Sequence, residues 1–280
     1  MTPSEPAPRT TALALPLGLS DVLGRTLHHL SPHIDLGDVW LGGGTGLAAK
    51  WHHGHSTDIG LFYDERLLLR PKSPLPALLH ALKTLADRGD ISLTAVRPRG
   101  ASWDTGDTPV SLYPSVPYNI TGPPHEYVVA QGHRVAVEPS ADVILKKLRS
   151  RMLHSQDYLS RDIYDVVVAH VEDPVATRAA FAHLLDDELA MLRYDAEHQH
   201  IHERAGRDIA DASYPALVAQ PAVLIRYMRL ALKGQLVEKE LTGLRQLRHD
   251  QNERHHPTRS QPQIQERAST AEGKGDAQGH

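Results

Sequence analysis

Cysteine is missing altogether from the 280 residues, which excludes disulfides, thiolate metal sites and cysteine nucleophiles. No uninterrupted apolar stretch approaches the roughly 18 residues that a membrane-spanning helix needs. Met1 to Thr11 carries Pro and Ser but no basic start followed by an apolar run, so no secretory leader is expected. A cytoplasmic protein without a membrane partner is the expectation. A large excess of one sign of charge is also lacking: the formal net charge is -4, which argues against a chain-wide nucleic-acid surface and makes any basic site local. Phenylalanine is down to two residues, whereas histidine reaches nineteen and hydrophobic residues make up 40%. A chain of this length buries a real core, as one large domain or two modest ones. The tract His198-Gln199-His200-Ile201-His202 invites a metal reading. It stands in a polar stretch with Glu197, Glu203 and Arg204, where a solvated helix or loop is the plainer account, because alternate-residue histidines match strand spacing better than a helical ligand pair.

Punctuation and periodicity divide the chain. Residues 1 to 16 are rich in Pro, Thr and Ala and read as a flexible N-terminus; residues 17 to 139 read as a mixed α/β domain. Within it, Val22, Leu23, Leu27 and Leu30 recur at helical spacing behind Ser20 as N-cap. Val39-Trp40-Leu41 reads as a strand that runs into Gly42-Gly43-Gly44-Thr45, and Leu47 to Trp51 reads as the helix that follows. Ser56 to Tyr63 is a second strand with Asp58 and Gly60 on one face and Ile59 and Leu61 on the other. A leucine stripe predicts a helix over Leu75 to Ala86, and strands are expected at Ile91 to Val96, at Val110 to Tyr113, and on both sides of Gln131-Gly132-His133 between Tyr127 and Val137. Residues 140 to 247 read as a helical domain, with Ser140 capping Ala141 to His154, a striped helix over Arg161 to Val171, and further helices across Val175 to Glu203 and Pro215 to Leu247. Residues 248 to 280 hold almost nothing apolar and read as a disordered polar tail.

Chemistry concentrates in Gly42-Gly43-Gly44-Thr45 and in Ser56-Thr57-Asp58-Ile59-Gly60-Leu61-Phe62. A glycine-rich turn opening a helix lets backbone amides and a hydroxyl approach a triphosphate, and the helix N-terminus favours anionic oxygens. Most such turns bind nothing. An acidic residue on the neighbouring strand adds a holder for the magnesium that accompanies a triphosphate. About 80 residues later come Lys146-Lys147-Leu148-Arg149, then Arg151, then Arg161-Asp162-Ile163-Tyr164-Asp165. Asp162 and Asp165 stand three residues apart on one helical face, placed to address one cationic group.

The spacing of Leu41 to Phe62 resembles the nucleotidyltransferase signature, and more particularly that of the AbiEii/AbiGii (MenT-like) toxin family. The segment from Ala141 to Asp165 is similar to that family's lysine helix and its Arg-Asp-x-x-Asp helix. The likeness covers roughly Val39 to Val168. It implies an α/β nucleotidyltransferase fold followed by helices, with Mg2+ or Mn2+ as cofactor and a nucleoside triphosphate as substrate. It further implies transfer of a nucleoside monophosphate to an RNA (tRNA acceptor end) or protein hydroxyl, and a partner antitoxin. Carried over residue by residue, Gly43, Gly44, Thr45 and Ser56 match the phosphate-binding positions and Asp58 the metal carboxylate. Lys147, with Lys146 as the register alternative, matches the lysine that neutralises phosphate charge. Asp162 and Asp165 match the acidic pair beside the nucleotide, with Arg151 nearby. Asp58, Lys147 and Asp165 would be the catalytic set.

The chain departs from this pattern. The second strand carboxylate falls on Gly60, which weakens any two-metal arrangement. Asp64 shares the face of Gly60 but lies about 13 Å along a strand that rises about 3.3 Å per residue, so it is no obvious substitute. The basic residue before the serine is His55, and the later strand offers only Ser111 where many nucleotidyltransferases carry a third acid. A second function therefore stands beside the first: a catalytically degenerate relative that binds nucleotide or RNA without transfer, using Lys146, Lys147, Arg149, Arg151 and Arg161.

Overall fold

The computed structural model describes residues 11–15, 18–54, 56–156, 158–198 and 212–255. The fold is α/β. An eight-stranded mixed sheet in the order β1-β7-β8-β2-β3-β6-β5-β4 is followed by helices. Its strands are β1 (Thr11–Leu13), β2 (Val39–Gly42), β3 (Ile59–Asp64), β4 (Ser92–Arg97), β5 (Gly100–Thr105), β6 (Thr108–Ser115), β7 (Glu126–Ala130) and β8 (His133–Val137). At the centre β2 runs antiparallel to β3 with Leu41 opposite Leu61 and Gly42 opposite Gly60, while β3 runs parallel to β6 with Gly60 opposite Ser111.

Strand alternation sorts the side chains between two faces. Leu41, Ile59, Leu61, Val110, Leu112, Val135 and Val137 enter one core, which is closed by α1 (Leu19–Leu30) and α3 (Leu75–Asp87). Gly42, Gly60, Phe62 and Ser111 therefore fall on the opposite face, which looks toward the helices of the second half. Joining the faces is α2 (Gly43–Trp51), whose Leu47 and Trp51 enter a second core. That core is built from α4 (Ser140–Lys146) and its continuation Lys147–His154, α5 (Ser160–Glu172), α6 (Pro174–Ala182), α7 (Asp186–His198), α8 (Pro215–Ala219), α9 (Pro221–Leu232) and α10 (Glu238–His255). Lys147–His154 is wound as π-helix, with the Ser155 amide donating to the Ser150 carbonyl at 3.2 Å, a rare winding that recurs at functional sites.

Several sequence expectations are corrected. The first helix is capped by Gly18, not Ser20, and the second begins on Gly43 itself rather than at Leu47. Asp58 precedes its strand instead of lying inside it. Thr11–Leu13, inside the stretch read as flexible, pairs in parallel with β7, and β5 was not anticipated. The helices expected across Val175 to Glu203 are two, separated after Ala182. Those across Pro215 to Leu247 are three, because Pro221 pushes Gln220 to φ -131 and Gly234 turns the chain at φ +66. The last of these continues to His255, past the boundary drawn at Arg248. Arg248 is tied into the fold through Glu172 and through the Trp51 carbonyl at 3.2 Å. Residues 1–10, His55, most of the histidine tract (199–202) and the tail from residue 256 lie outside the described residues. Among the described residues no helix is long and apolar enough to cross a membrane.

Candidate functional site

A cavity of about 600 Å3 opens between the sheet face and helices α4 and α5. It is lined by Gly43, Gly44, Thr45, Ser56, Asp58, Lys146, Lys147, Arg151, Asp162 and Asp165, all singled out from sequence, and by Arg161, whereas Arg149 of the expected basic cluster is bound to Glu188 and does not line it. Two clusters, drawn from segments about a hundred residues apart, form its charged wall.

The first cluster surrounds the N-terminus of α2. Gly43 takes φ +62, a backbone that a side chain would strain, and so turns the chain from β2 straight into the helix. Thr45, 1% exposed, is held from the side: its hydroxyl shares a hydrogen bond of 2.9 Å with Ser56 Oγ and donates to the Asp58 carbonyl. Ser56 Oγ also lies 3.0 Å from Asp58 Oδ1. Turn, serine and aspartate are thus one hydrogen-bonded unit beside a helix N-terminus.

The second cluster spans α4 and α5. Lys147 Nζ binds Asp162 Oδ1 and lies 2.8 Å from Asp165 Oδ2, so the two carboxylates do address a single cation. Burial opposes the charge on Lys147, but the two carboxylates outweigh it and raise its pKa. Burial would likewise raise Asp165, yet Lys147 and His53 hold it at about 2. Arg151 Nε stands 3.5 Å from the other oxygen of Asp162.

The clusters meet at Gly44. A Cβ built there would lie 3.6 Å from Asp165 Oδ2 and 3.9 Å from Ser56 Oγ, so the acidic helix sits directly against the first turn of α2.

Two participants escaped the sequence reading. His53 is 3% exposed and places Nε2 at 2.8 Å from Asp165 Oδ1. Its ring stacks on Tyr164 at 5.6 Å, and its carbonyl accepts from Tyr164 OH at 2.6 Å and from the Ser213 amide at 3.0 Å. The anchoring comes from 111 and 160 residues away, which no local motif encodes. Glu138, 2% exposed, pairs with Lys146 at the cavity floor; as the residue after a strand it carried no signal of its own. Asp64, set aside as a substitute for a carboxylate at position 60, is engaged with Arg66. Ser111, the polar residue on the later strand, lines the cavity opposite Gly60.

Among the described residues no group of three or more His, Asp or Glu side chains is placed to hold a metal ion. Among the described residues Asp58 is nonetheless the cavity carboxylate without a cation beside it, since Asp162 and Asp165 have Lys147, Glu138 has Lys146 and Glu65 has Arg99. That donor set fits one magnesium or manganese ion completed by phosphate oxygens and water, the usual habit of magnesium. It does not fit a pair, because Gly60 supplies no shared ligand.

No family model matches the chain, and no curated protein matches it. Among solved structures, the solution structure of the antibiotic-resistance factor ANT(2'')-Ia is similar over 65% of this chain and 98% of that one, at 14% identity and a TM-score of 0.40. The crystal structure of ANT(2'')-Ia in complex with adenylyl-2''-tobramycin is similar over 63% and 95%, at 15% identity and a TM-score of 0.34. Likeness at so low a TM-score and identity does not bear on what the chain does.

Proposed function

We propose that the cavity binds a nucleoside triphosphate and that the chain is a nucleotidyltransferase of the AbiEii/AbiGii (MenT-like) toxin type. It would transfer a nucleoside monophosphate to a hydroxyl of an RNA, at a tRNA acceptor end, or of a protein, and be restrained by a cognate antitoxin. The observation that carries the reading is the meeting at Gly44 of the Gly43-Gly44-Thr45 turn with the Lys147 and Asp165 cluster. A glycine turn alone is commonplace. One that abuts a buried lysine held by two aspartates, with an unneutralised Asp58 alongside, is a place for phosphate and its counter-ion.

In this reading the amides of Gly44 and Thr45 at the start of α2 bind phosphate oxygens, helped by the partial positive charge of a helix N-terminus. Ser56 holds Asp58 toward the cavity. Lys147, fixed by Asp162 and Asp165, sets a positive charge beside the phosphates without a change of shape, which is the economical way to stabilise charge that develops on a leaving pyrophosphate. His53 is a positioning residue that fixes Asp165. Arg151, with 46% of its side chain exposed, and Arg161 face the cavity and suit an anionic acceptor such as RNA. A divalent ion on Asp58 would polarise the phosphoryl oxygens and neutralise the triphosphate.

The test is incubation of the purified protein with each α-labelled nucleoside triphosphate, magnesium or manganese, and total tRNA, beside Asp58→Ala and Gly60→Asp. Label transfer by the native chain that Asp58→Ala abolishes supports the enzyme. Transfer by Gly60→Asp alone supports the second reading, a relative that binds nucleotide or RNA without transferring it, which the lack of a carboxylate at position 60 favours. No transfer by any of the three, with no nucleotide bound, counts against both.

A further inference from the structure

Four residues cross the cavity face of the sheet in register. Ser111 lies opposite Gly60, Gly60 opposite Gly42, and Glu138 follows Val137, whose partner is Leu41; its amide donates to the Leu41 carbonyl at 2.9 Å. Glu138 is the charged member of this row. Its carboxylate fills the space that a side chain at position 42 would take: a Cβ built on Gly42 would lie 2.3 Å from Glu138 Oε2 and 2.8 Å from the Phe62 ring. Oε1 binds Lys146 Nζ, whereas Oε2 is buried and has no hydrogen-bond partner among the described residues.

Lys146 Nζ in turn sits 5.4 Å from the centre of the Phe62 ring and 5.7 Å from that of Trp40. The Phe62 ring reaches within 3.6 Å of a Cβ built on Gly60. The Phe62 ring thus borders both position 60 and the ammonium. Lys146 and Lys147 thus serve different places: Lys147 faces the carboxylates of α5, and Lys146 faces Glu138 and the Phe62 and Trp40 rings of the sheet.

A purely structural ion pair would satisfy both carboxylate oxygens and turn away from the cavity. This one leaves a buried oxygen unpartnered, which is costly, and both of its residues line the cavity. Burial pushes the pKa of Glu138 up and Lys146 draws it back, so the carboxylate depends on the ammonium in front of it.

We infer that Lys146, carried on Glu138, is the second cation of the site: its ammonium takes the phosphate-facing place beside Gly60 that a second divalent ion would need, and its ligand is a phosphate oxygen of the triphosphate. This rests on the nucleotide reading of the cavity. It makes Gly60 a compensated change, since a carboxylate there would pair with Lys146 and remove it from the phosphates.

The test uses tripolyphosphate, which carries no base or sugar, with manganese counted by electron paramagnetic resonance and affinity read by calorimetry. Because Lys146→Met alone would strand a buried carboxylate, the variant is Lys146→Met with Glu138→Gln. The native chain is expected to bind one manganese with the polyphosphate, and the double variant to bind polyphosphate about tenfold more weakly at saturating manganese. Gly60→Asp alone should take up no second manganese, whereas Gly60→Asp added to the double variant should take up two. Polyphosphate affinity unchanged in the double variant, or a second manganese in the Gly60→Asp single variant, would overturn the inference while leaving the nucleotide site standing. Failure of the native chain to bind polyphosphate at all would overturn both.

Discussion

Replacing Lys147 by Met removes the cation shared by Asp162 and Asp165, residues that are 1% and 6% exposed. Two carboxylates would be left in a poorly solvated place with only His53 and a marginal Arg151 contact. Stripping one partner from a buried pair costs about 3–5 kcal/mol. The same order of magnitude comes from Asp165 itself, whose pKa falls from 3.8 to about 2; that depression is worth about 2 kcal/mol. Urea unfolding at pH 7, followed by far-ultraviolet circular dichroism, reads the loss as a lower midpoint at unchanged slope. Lys147→Met combined with Asp162→Asn and Asp165→Asn should regain most of it, because the stranded charges go with the lysine. A loss of less than about 1 kcal/mol for Lys147→Met, the scale of an exposed pair, would refute the claim that the cluster is buried and tightly coupled.

Acid should act through the same residue. Asp165 has a folded pKa below its unfolded one, so its contribution is complete above about pH 5 and is lost as pH falls through 3.8 toward about 2; carbon-13 NMR of the aspartate carboxyls should show the Asp165 carboxyl still ionised at pH 3. Gly42→Ala should lower stability by about 1–3 kcal/mol, since its Cβ meets Glu138 and Phe62. Gly60→Ala, with its nearest contact at 3.5 Å, should leave the melting temperature unchanged or raised. Arg248→Ala should release α10, read as faster amide hydrogen exchange in the helix while α5 keeps its protection.

What the residue pattern disclosed, and what it did not, follows from the range of the interactions. The glycine turn, the alternation of Ile59 and Leu61 against Gly60, and the three-residue spacing of Asp162 and Asp165 are local, and each placed its residue on the correct face. Strand β5 was missed although Ala101, Trp103 and Thr105 point inward in alternation, because glycine, alanine, serine and aspartate are weak strand formers and tertiary pairing with β4 and β6 decides the matter. The breaks among the later helices fall at Pro221 and Gly234, which end helices for local backbone reasons. His53 and Glu138 depend on contacts with Asp165 and Gly42, residues brought near only by the fold. One of nineteen histidines, and a glutamate ending a strand, carry no private mark.

The most direct test is calorimetric titration of the four ribonucleoside triphosphates into the native chain, Thr45→Val and Asp58→Ala in the presence of magnesium. Thr45→Val removes the hydroxyl that joins the turn to Ser56 and the Asp58 carbonyl, and Asp58→Ala removes the unneutralised carboxylate. Saturable binding of at least one triphosphate to the native chain, weakened by both substitutions, is the expected result. No binding to the native chain, or binding that neither substitution alters, would contradict the assignment of the cavity.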